Sequence, residues 1–268
     1  MSILNEIAEH ARERVEAAKN RYPFAEIRRD ALGMSKGCFE FETALAKPGL
    51  SFICECKKAS PSKGVIAPDF PYIDIARSYE AAEADCISVL TEPKWFLGKD
   101  DYLKEISEAV SIPCLRKDFT VDEYMIYEAK LLGASAVLLI CSILSVEQLT
   151  EYIGISDELG LSALVETHNE SEIHKALSAR ARIVGVNNRD LRDFTVDIST
   201  SLQLRQMVPD DVLFVSESGI ASAEDVAGAE SAGADAVLVG EVLMRATDRP
   251  GRLRELKSLL VKRGDKND

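Results

Sequence analysis

From about residue 50 onward, short apolar runs alternate with longer stretches in which apolar positions recur at helical spacing. The runs cover 51–55, 86–90, 113–116, 136–140, 162–165, 183–186, 212–215 and 236–239. They are too short for helices and rich in Val, Ile and Leu, the pattern of strands buried on both faces of a parallel sheet. Helices are predicted near 70–84, 100–110, 122–132, 145–159, 170–179, 197–207, 222–232 and 249–262. Ser145 with Gln148, and Ser222 with Asp225, stand where N-terminal caps are needed. Gly133 and Gly233 suit left-handed helix ends before the next strand. Ahead of this rhythm, Ile3, Ile7, Ala11, Val15 and Ala18 mark an amphipathic helix over 2–20, and a less regular connector runs on to about residue 48.

Eight strand–helix units predict an α/β fold: a single (β/α)8 TIM barrel over 49–268 behind an N-terminal helical extension, 1–48. A doubly wound open sheet is the competitor. It usually opens with a glycine-rich turn, and no Gly-x-Gly-x-x-Gly occurs here.

Charge and composition narrow the function. With 45 acidic against 32 basic residues, the net charge is −13, which argues against a nucleic-acid partner. An anionic substrate would need a local cationic pocket against that field. No apolar segment approaches the length of a membrane span, and the N-terminus lacks the apolar core of a secretory signal, so a cytoplasmic setting is expected. The six cysteines form no Cys-x-x-Cys, and His10, His168 and His174 are far apart. Buried, reduced thiols are expected, with no metal site and no His-based triad.

In a barrel, chemistry sits at the C-terminal ends of the strands. Side chains alternate along a strand, so Glu55 and Lys57 share one face, and so do Leu115, Lys117 and Phe119. Further ends carry Glu166, then Asn187 and Arg189, then Glu217, Ser218 and Gly219, then Gly240 and Glu241. A buried structural ion pair is the bland reading of Glu55 and Lys57. Charged residues at so many strand ends favour a pocket. Lysines beside carboxylates suit proton transfer; a Schiff-base lysine is the alternative and would have to be neutral. Gly219 and Gly240 follow the last two strands, where barrels often hold phosphate on backbone N–H groups, although either glycine could serve only a tight turn.

The segments ECKKASPSKG (55–64), SVLTEPKWFLG (88–98), LRKDF (115–119), LVETH (164–168), GVNNRDL (185–191), SESGI (216–220) and LVGEVLMR (238–245) resemble the indole-3-glycerol phosphate synthase family, in order and over nearly the whole chain. The resemblance implies ring closure of 1-(2-carboxyphenylamino)-1-deoxyribulose 5-phosphate, with loss of carbon dioxide and water, in tryptophan biosynthesis. It implies no metal or organic cofactor. By the same resemblance, Lys117 is the general acid and pairs with the substrate carboxylate, and Glu166 supports proton removal in the later step. Glu55 and Lys57 form the other charged strand end, and the acid of dehydration is Lys57 or Lys117. Asn187, Arg189, Glu217 and Ser218 match further pocket positions. Ser60, Gly219, Gly240 and the amide of Glu241 match the phosphate side, and Pro61 and Phe119 match the walls around the aromatic ring. Two positions depart from the family pattern. Glu241 stands where some members carry serine, and Lys99 stands where a small polar residue is common.

The implied partner is a small-molecule sugar phosphate, for a monomer or weak homo-oligomer. Two alternatives stay open. One is a barrel like phosphoribosylanthranilate isomerase, which resembles a cysteine–aspartate acid–base pair and disagrees with Glu55 and Lys57 at the first strand end. The other is a non-catalytic sugar-phosphate binding barrel.

Overall fold

In a computed structural model, which describes residues 3–190 and 193–260, eight parallel strands close into a barrel. They are β1 Ser51–Cys56, β2 Cys86–Leu90, β3 Cys114–Lys117, β4 Ala136–Ile140, β5 Ser162–Thr167, β6 Ile183–Asn187, β7 Leu213–Glu217 and β8 Ala236–Val239. Each pairs with the next, and β1 closes the ring against β8, with Ser51 opposite Ala236 and Cys54 opposite Val239. The predicted (β/α)8 architecture is present. Every residue of β1, β2, β4, β5 and β8 is buried. Side chains fill the barrel inside and helices cover it outside, which explains the unbroken apolar runs in place of alternation.

Local signals and structure agree at the helix ends. Ser145 and Gln148 form a reciprocal capping box, as do Ser222 and Asp225. Gly133 and Gly233 lie at φ +81° and +87°, the left-handed conformation that lets the chain leave a helix.

The structure departs from the sequence reading in four places, and for the first two the cause is plain. Several strands run further than hydropathy predicts: β5 continues through Glu166 and β7 through Glu217. Neighbouring strands supply the ladder there, with Ile140 and Gly185 on either side of Glu166, and Asn187 opposite Glu217. The irregular connector holds two helices, Phe24–Gly33 and Glu40–Leu45. Each is short and buries few residues, such as Ile27, Ala31 and Phe41, so neither produces a long period. The expected loop after β1 contains a small hairpin, with Ala59 opposite Val65. The predicted helix 197–207 is an α-helix, Ser199–Leu204, followed by a 3₁₀ turn, and 249–262 is a helix over Arg249–Leu256. Residues 1–2 of the extension, Leu191 of the GVNNRDL segment, and 261–262 lie outside the described residues.

The first helix, Ile3–Arg21, lies against the loops at the C-terminal end of the barrel. Its Arg14 makes a two-pronged ion pair with Asp118 at 2.7 and 3.1 Å, and Lys19 reaches Asp122 at 2.8 Å. Its apolar stripe buries Ile7, Ala8, Ala11 and Val15.

Candidate active site

A cavity of about 570 Å³ opens at the C-terminal ends of the strands. All of the residues nominated from the sequence line it: Glu55, Lys57, Ser60, Pro61, Lys117, Phe119, Glu166, Asn187, Arg189, Glu217, Ser218, Gly219, Gly240 and Glu241. Strand alternation accounts for Glu55, Lys117, Glu166, Asn187 and Glu217, inward positions at the strand ends that converge on one space, and the others sit on the segments that follow the strands.

Two acid–base groups face each other inside. Lys57 Nζ lies 2.5 Å from Glu55 Oε1, and Ser88 Oγ donates to the other carboxylate oxygen at 3.3 Å. Across the pocket, Lys117 Nζ donates to Glu166 Oε2 at 3.1 Å and lies 3.7 Å from Glu217 Oε2. Burial opposes the Lys117 charge, but Glu166, Glu217 and Glu55 outweigh it and hold its pKa above the ordinary lysine range. Burial likewise opposes ionisation of Glu166. Lys117, His168 and an Asn187 hydrogen bond reverse that and leave its carboxyl below the usual range.

Glu217 has the opposite fate. Burial pushes its carboxyl up to about 8; Lys117 pulls it down, and the neighbouring Glu166 and Glu55 add to the rise. Its Oε1 is buried and makes no hydrogen bond. Protonated Glu217 leaves two carboxylates, Glu55 and Glu166, facing two ammonium groups, so the charges of the four balance. Like-charged carboxylates in one site commonly divide into an ionised and a protonated member.

The glycines make room for this chemistry. A Cβ on Gly240 would lie 2.6 Å from Glu55 Oε1 and 3.1 Å from Lys57 Nζ. Crowding at this glycine therefore falls first on the charged pair. Ser218 and Gly219 both lie in the left-handed region, at φ +65° and +87°. A side chain on Gly219 would also meet Val196 and Ile198, at 2.8 and 2.7 Å. Glu241 turns along its short helix, Glu241–Met244, to pair with Arg245 at 3.0 Å.

One wall is apolar. Phe96 and Phe119 stand with ring centroids 6.3 Å apart, and Leu138 and Ile140 line the floor. Glu92, fully buried, accepts the backbone N–H groups of Lys94, Trp95 and Phe96 at 2.7–3.0 Å and so shapes the loop that carries Phe96. The first helix contributes Ile3, Leu4 and Ile7. Sequence reasoning missed three features. His168 follows Glu166 by two positions, so alternation could have placed it on the same face. Asp118 and the helix residues act through contacts about a hundred positions distant, for which no local signal exists.

Fold and cavity together define a (β/α)8 barrel whose strand ends carry buried, mutually paired acids and bases. The family model for indole-3-glycerol phosphate synthase matches residues 4–256. A protein of that name from Ruminiclostridium cellulolyticum is 54% identical over 95% of this chain and 98% of its own length. Another, from Lachnoclostridium phytofermentans, is 50% identical over 96% of this chain and 100% of its own. The chain belongs to the indole-3-glycerol phosphate synthase family. Among solved structures, 3-hexulose-6-phosphate synthase from Salmonella typhimurium superposes with a TM-score of 0.65 at 16% identity, covering 78% of this chain and 97% of that one, which is a likeness of fold.

Proposed function

We propose that this protein performs its family's reaction, closing the indole ring of 1-(2-carboxyphenylamino)-1-deoxyribulose 5-phosphate in tryptophan biosynthesis, as a carboxy-lyase. The observation that carries the reading is Lys117 held between Glu166 and Glu217, with an aromatic wall on one side and the Gly219 and Gly240 turns on the other. The anilino ring packs on Phe119, Phe96 and Pro61. The phosphate lies by Ser60, Gly219, Gly240 and the Glu241 amide, with Arg189 and Lys57 supplying positive charge against the acidic field of the molecule.

Lys117 pairs with the substrate carboxylate and protonates the ketone oxygen as the ring carbon bonds to the ketone carbon. The carboxylate then leaves as carbon dioxide, and its bonding electrons restore the aromatic ring. Glu166 takes a proton from the methylene beside nitrogen, and the neighbouring hydroxyl leaves as water with a proton from Lys57 or Lys117. Two protons are delivered and one is removed, so each cycle consumes one: the carboxylate leaves as neutral carbon dioxide, Glu166 gives its proton back, and solvent supplies the other to recharge the lysine acid. Protonated Glu217 is a donor to substrate oxygen, and Asn187 and Ser218 hold Glu166 and the substrate hydroxyls in place. The extension, 1–48, works with the barrel, 49–268, because its first helix lines the cavity.

Adding the substrate and following indole fluorescence and carbon dioxide release tests this. The expected result is both products in equal amounts. Binding without turnover would favour a sugar-phosphate binding barrel, and isomerisation of a phosphoribosyl amine would favour the isomerase; Glu55 and Lys57 at the end of β1 support neither. Among the described residues no helix is long and apolar enough to cross a membrane. A cytoplasmic monomer or weak homo-oligomer without a nucleic-acid partner completes the reading, and sedimentation checks the oligomeric state.

A further inference from the structure

Both ring nitrogens of His168 face carboxylates. Nδ1 lies 3.1 Å from Glu172 Oε2, and Nε2 lies 3.5 Å from Glu166 Oε1. The His168 backbone N–H donates to the same Glu172 oxygen at 2.9 Å. Glu172 is itself anchored. It is the third residue of the helix Glu170–Ser178, its backbone N–H donates to the capping Asn169 side chain at 3.0 Å, and Asn169 Nδ2 donates to its other oxygen at 3.2 Å. Glu172 therefore lies at the end of the helix where the dipole and an acidic side chain attract each other.

An ionised carboxylate only accepts hydrogen bonds, and a neutral imidazole carries one N–H and one lone pair. In the neutral ring one nitrogen would therefore turn its lone pair toward an anionic oxygen. Only the doubly protonated ring gives each carboxylate an N–H. Nε2 is buried and makes no hydrogen bond; its 3.5 Å approach to Glu166 Oε1 is an ion-pair contact, attractive only when the ring is protonated.

We propose that His168 is a positioning residue of this site: as an imidazolium it ties Glu166 to the anchored Glu172 and so aims Glu166 at Lys117. This rests on the reading of Glu166 as the base of the later step. The chain of contacts runs from helix to reaction centre as Glu172, His168, Glu166 and Lys117. The other charged or titratable groups nearby do not break it. Glu217 on β7 adds negative potential at the ring. Cys141 past the end of β4 is a neutral thiol, with its pKa pushed by burial to about 12. Lys175 turns its ammonium to the backbone carbonyls of Cys141 and Leu144. Burial disfavours a charged ring, but the Glu172 hydrogen bond and the charges of Glu166 and Glu172 outweigh it, so His168 titrates above the ordinary imidazole range.

The chain has three histidines, so ring signals can be assigned by substitution and titrated by NMR in the whole, substrate-free protein. His168 should titrate above the ordinary range, and Glu172→Gln should bring it down. In kinetics, His168→Asn should lose roughly tenfold more kcat/KM at acid pH than on its plateau, because Glu166 then protonates more easily. His168 titrating in the ordinary range, or a His168→Asn profile that superposes on the parent, overturns the proposal. If His168→Asn does not fold, the titration of His168 in Glu172→Gln decides. The titration needs no turnover, so a protein that fails to make indole product would refute the reaction and leave the His168 bridge to be judged on its own.

Discussion

At Lys117, three buried carboxylates decide the charge of one ammonium, and Glu166 dominates because it is closest. A lysine so held is fully protonated at working pH, which suits an acid and opposes a Schiff base. Lys117→Met should therefore lower kcat by roughly 10²–10⁴-fold, the usual worth of a positioned acid, with a smaller change in KM. Steady-state kinetics checks this, and retention of most of the parent rate would remove Lys117 from the role. The glycine after β8 makes a sharper demand. Its missing Cβ leaves the space that Glu55 and Lys57 occupy, so Gly240→Val should reduce kcat as well as raise KM. A change confined to KM would mean that only the phosphate side is crowded. Glu241 behaves differently, since its charge is spent on Arg245. Glu241→Ser frees a cavity-lining guanidinium, and KM should fall by a small factor while kcat moves little. A large rise in KM would show that Glu241 holds substrate directly.

At the scale of elements, the first helix shows where the sequence stops being informative. Its apolar stripe is legible as Ile7, Ala11 and Val15, but its docking partner is not, because Arg14 and Asp118 meet across 104 positions. The barrel strands were legible for the opposite reason. Each is a short run buried on both faces, and that burial writes itself into composition. Their last residues were harder, since Glu166 and Glu217 are polar yet fully paired into the ladder. The strand-end chemistry could be read by simple alternation, which also reaches His168 from Glu166. Asp118 matters to the site because it lies between the acid Lys117 and the wall residue Phe119, and also binds Thr91 Oγ1 at 2.6 Å. Removing Arg14 would leave this fully buried carboxylate its Thr91 and Phe119 hydrogen bonds but take away the cation in contact with it. Arg14→Ala should cost about 3 kcal/mol, near the low end for a broken buried pair because Arg14 is partly exposed. It should also depress kcat through the displaced Lys117. Arg14→Lys should recover only part of either loss, as an ammonium cannot reproduce the two-pronged contact. Urea unfolding and kinetics on the same preparations check both; full stability in Arg14→Ala would show that the helix is held by its apolar stripe alone.

For the whole molecule, the buried carboxylates set how stability follows pH, and they do so with opposite signs. Glu166 and Asp118 ionise more easily folded than unfolded. Their stabilisation is present above the ordinary carboxylate range and is lost as pH falls through their lowered values. Glu217 runs the other way. Its folded pKa is about 8 and its ordinary value 4.5. Between these the native state keeps a proton that the unfolded chain releases, so the contribution is full below about 4.5 and is lost as pH rises through about 8. Glutamine at this position has no proton to lose. The raised His168 value costs both proteins stability as pH rises, so it cancels in the comparison, and Glu217→Gln should lose less thermal stability than the parent from pH 5 to pH 9. Each kcal/mol corresponds to about 2–4 °C in a chain of this size, so the gap should open by several degrees. Thermal unfolding of both proteins at pH 5, 7 and 9 measures it. Curves that stay parallel would mean that Glu217 is already ionised at neutral pH, and that Lys117 outweighs burial in setting its charge.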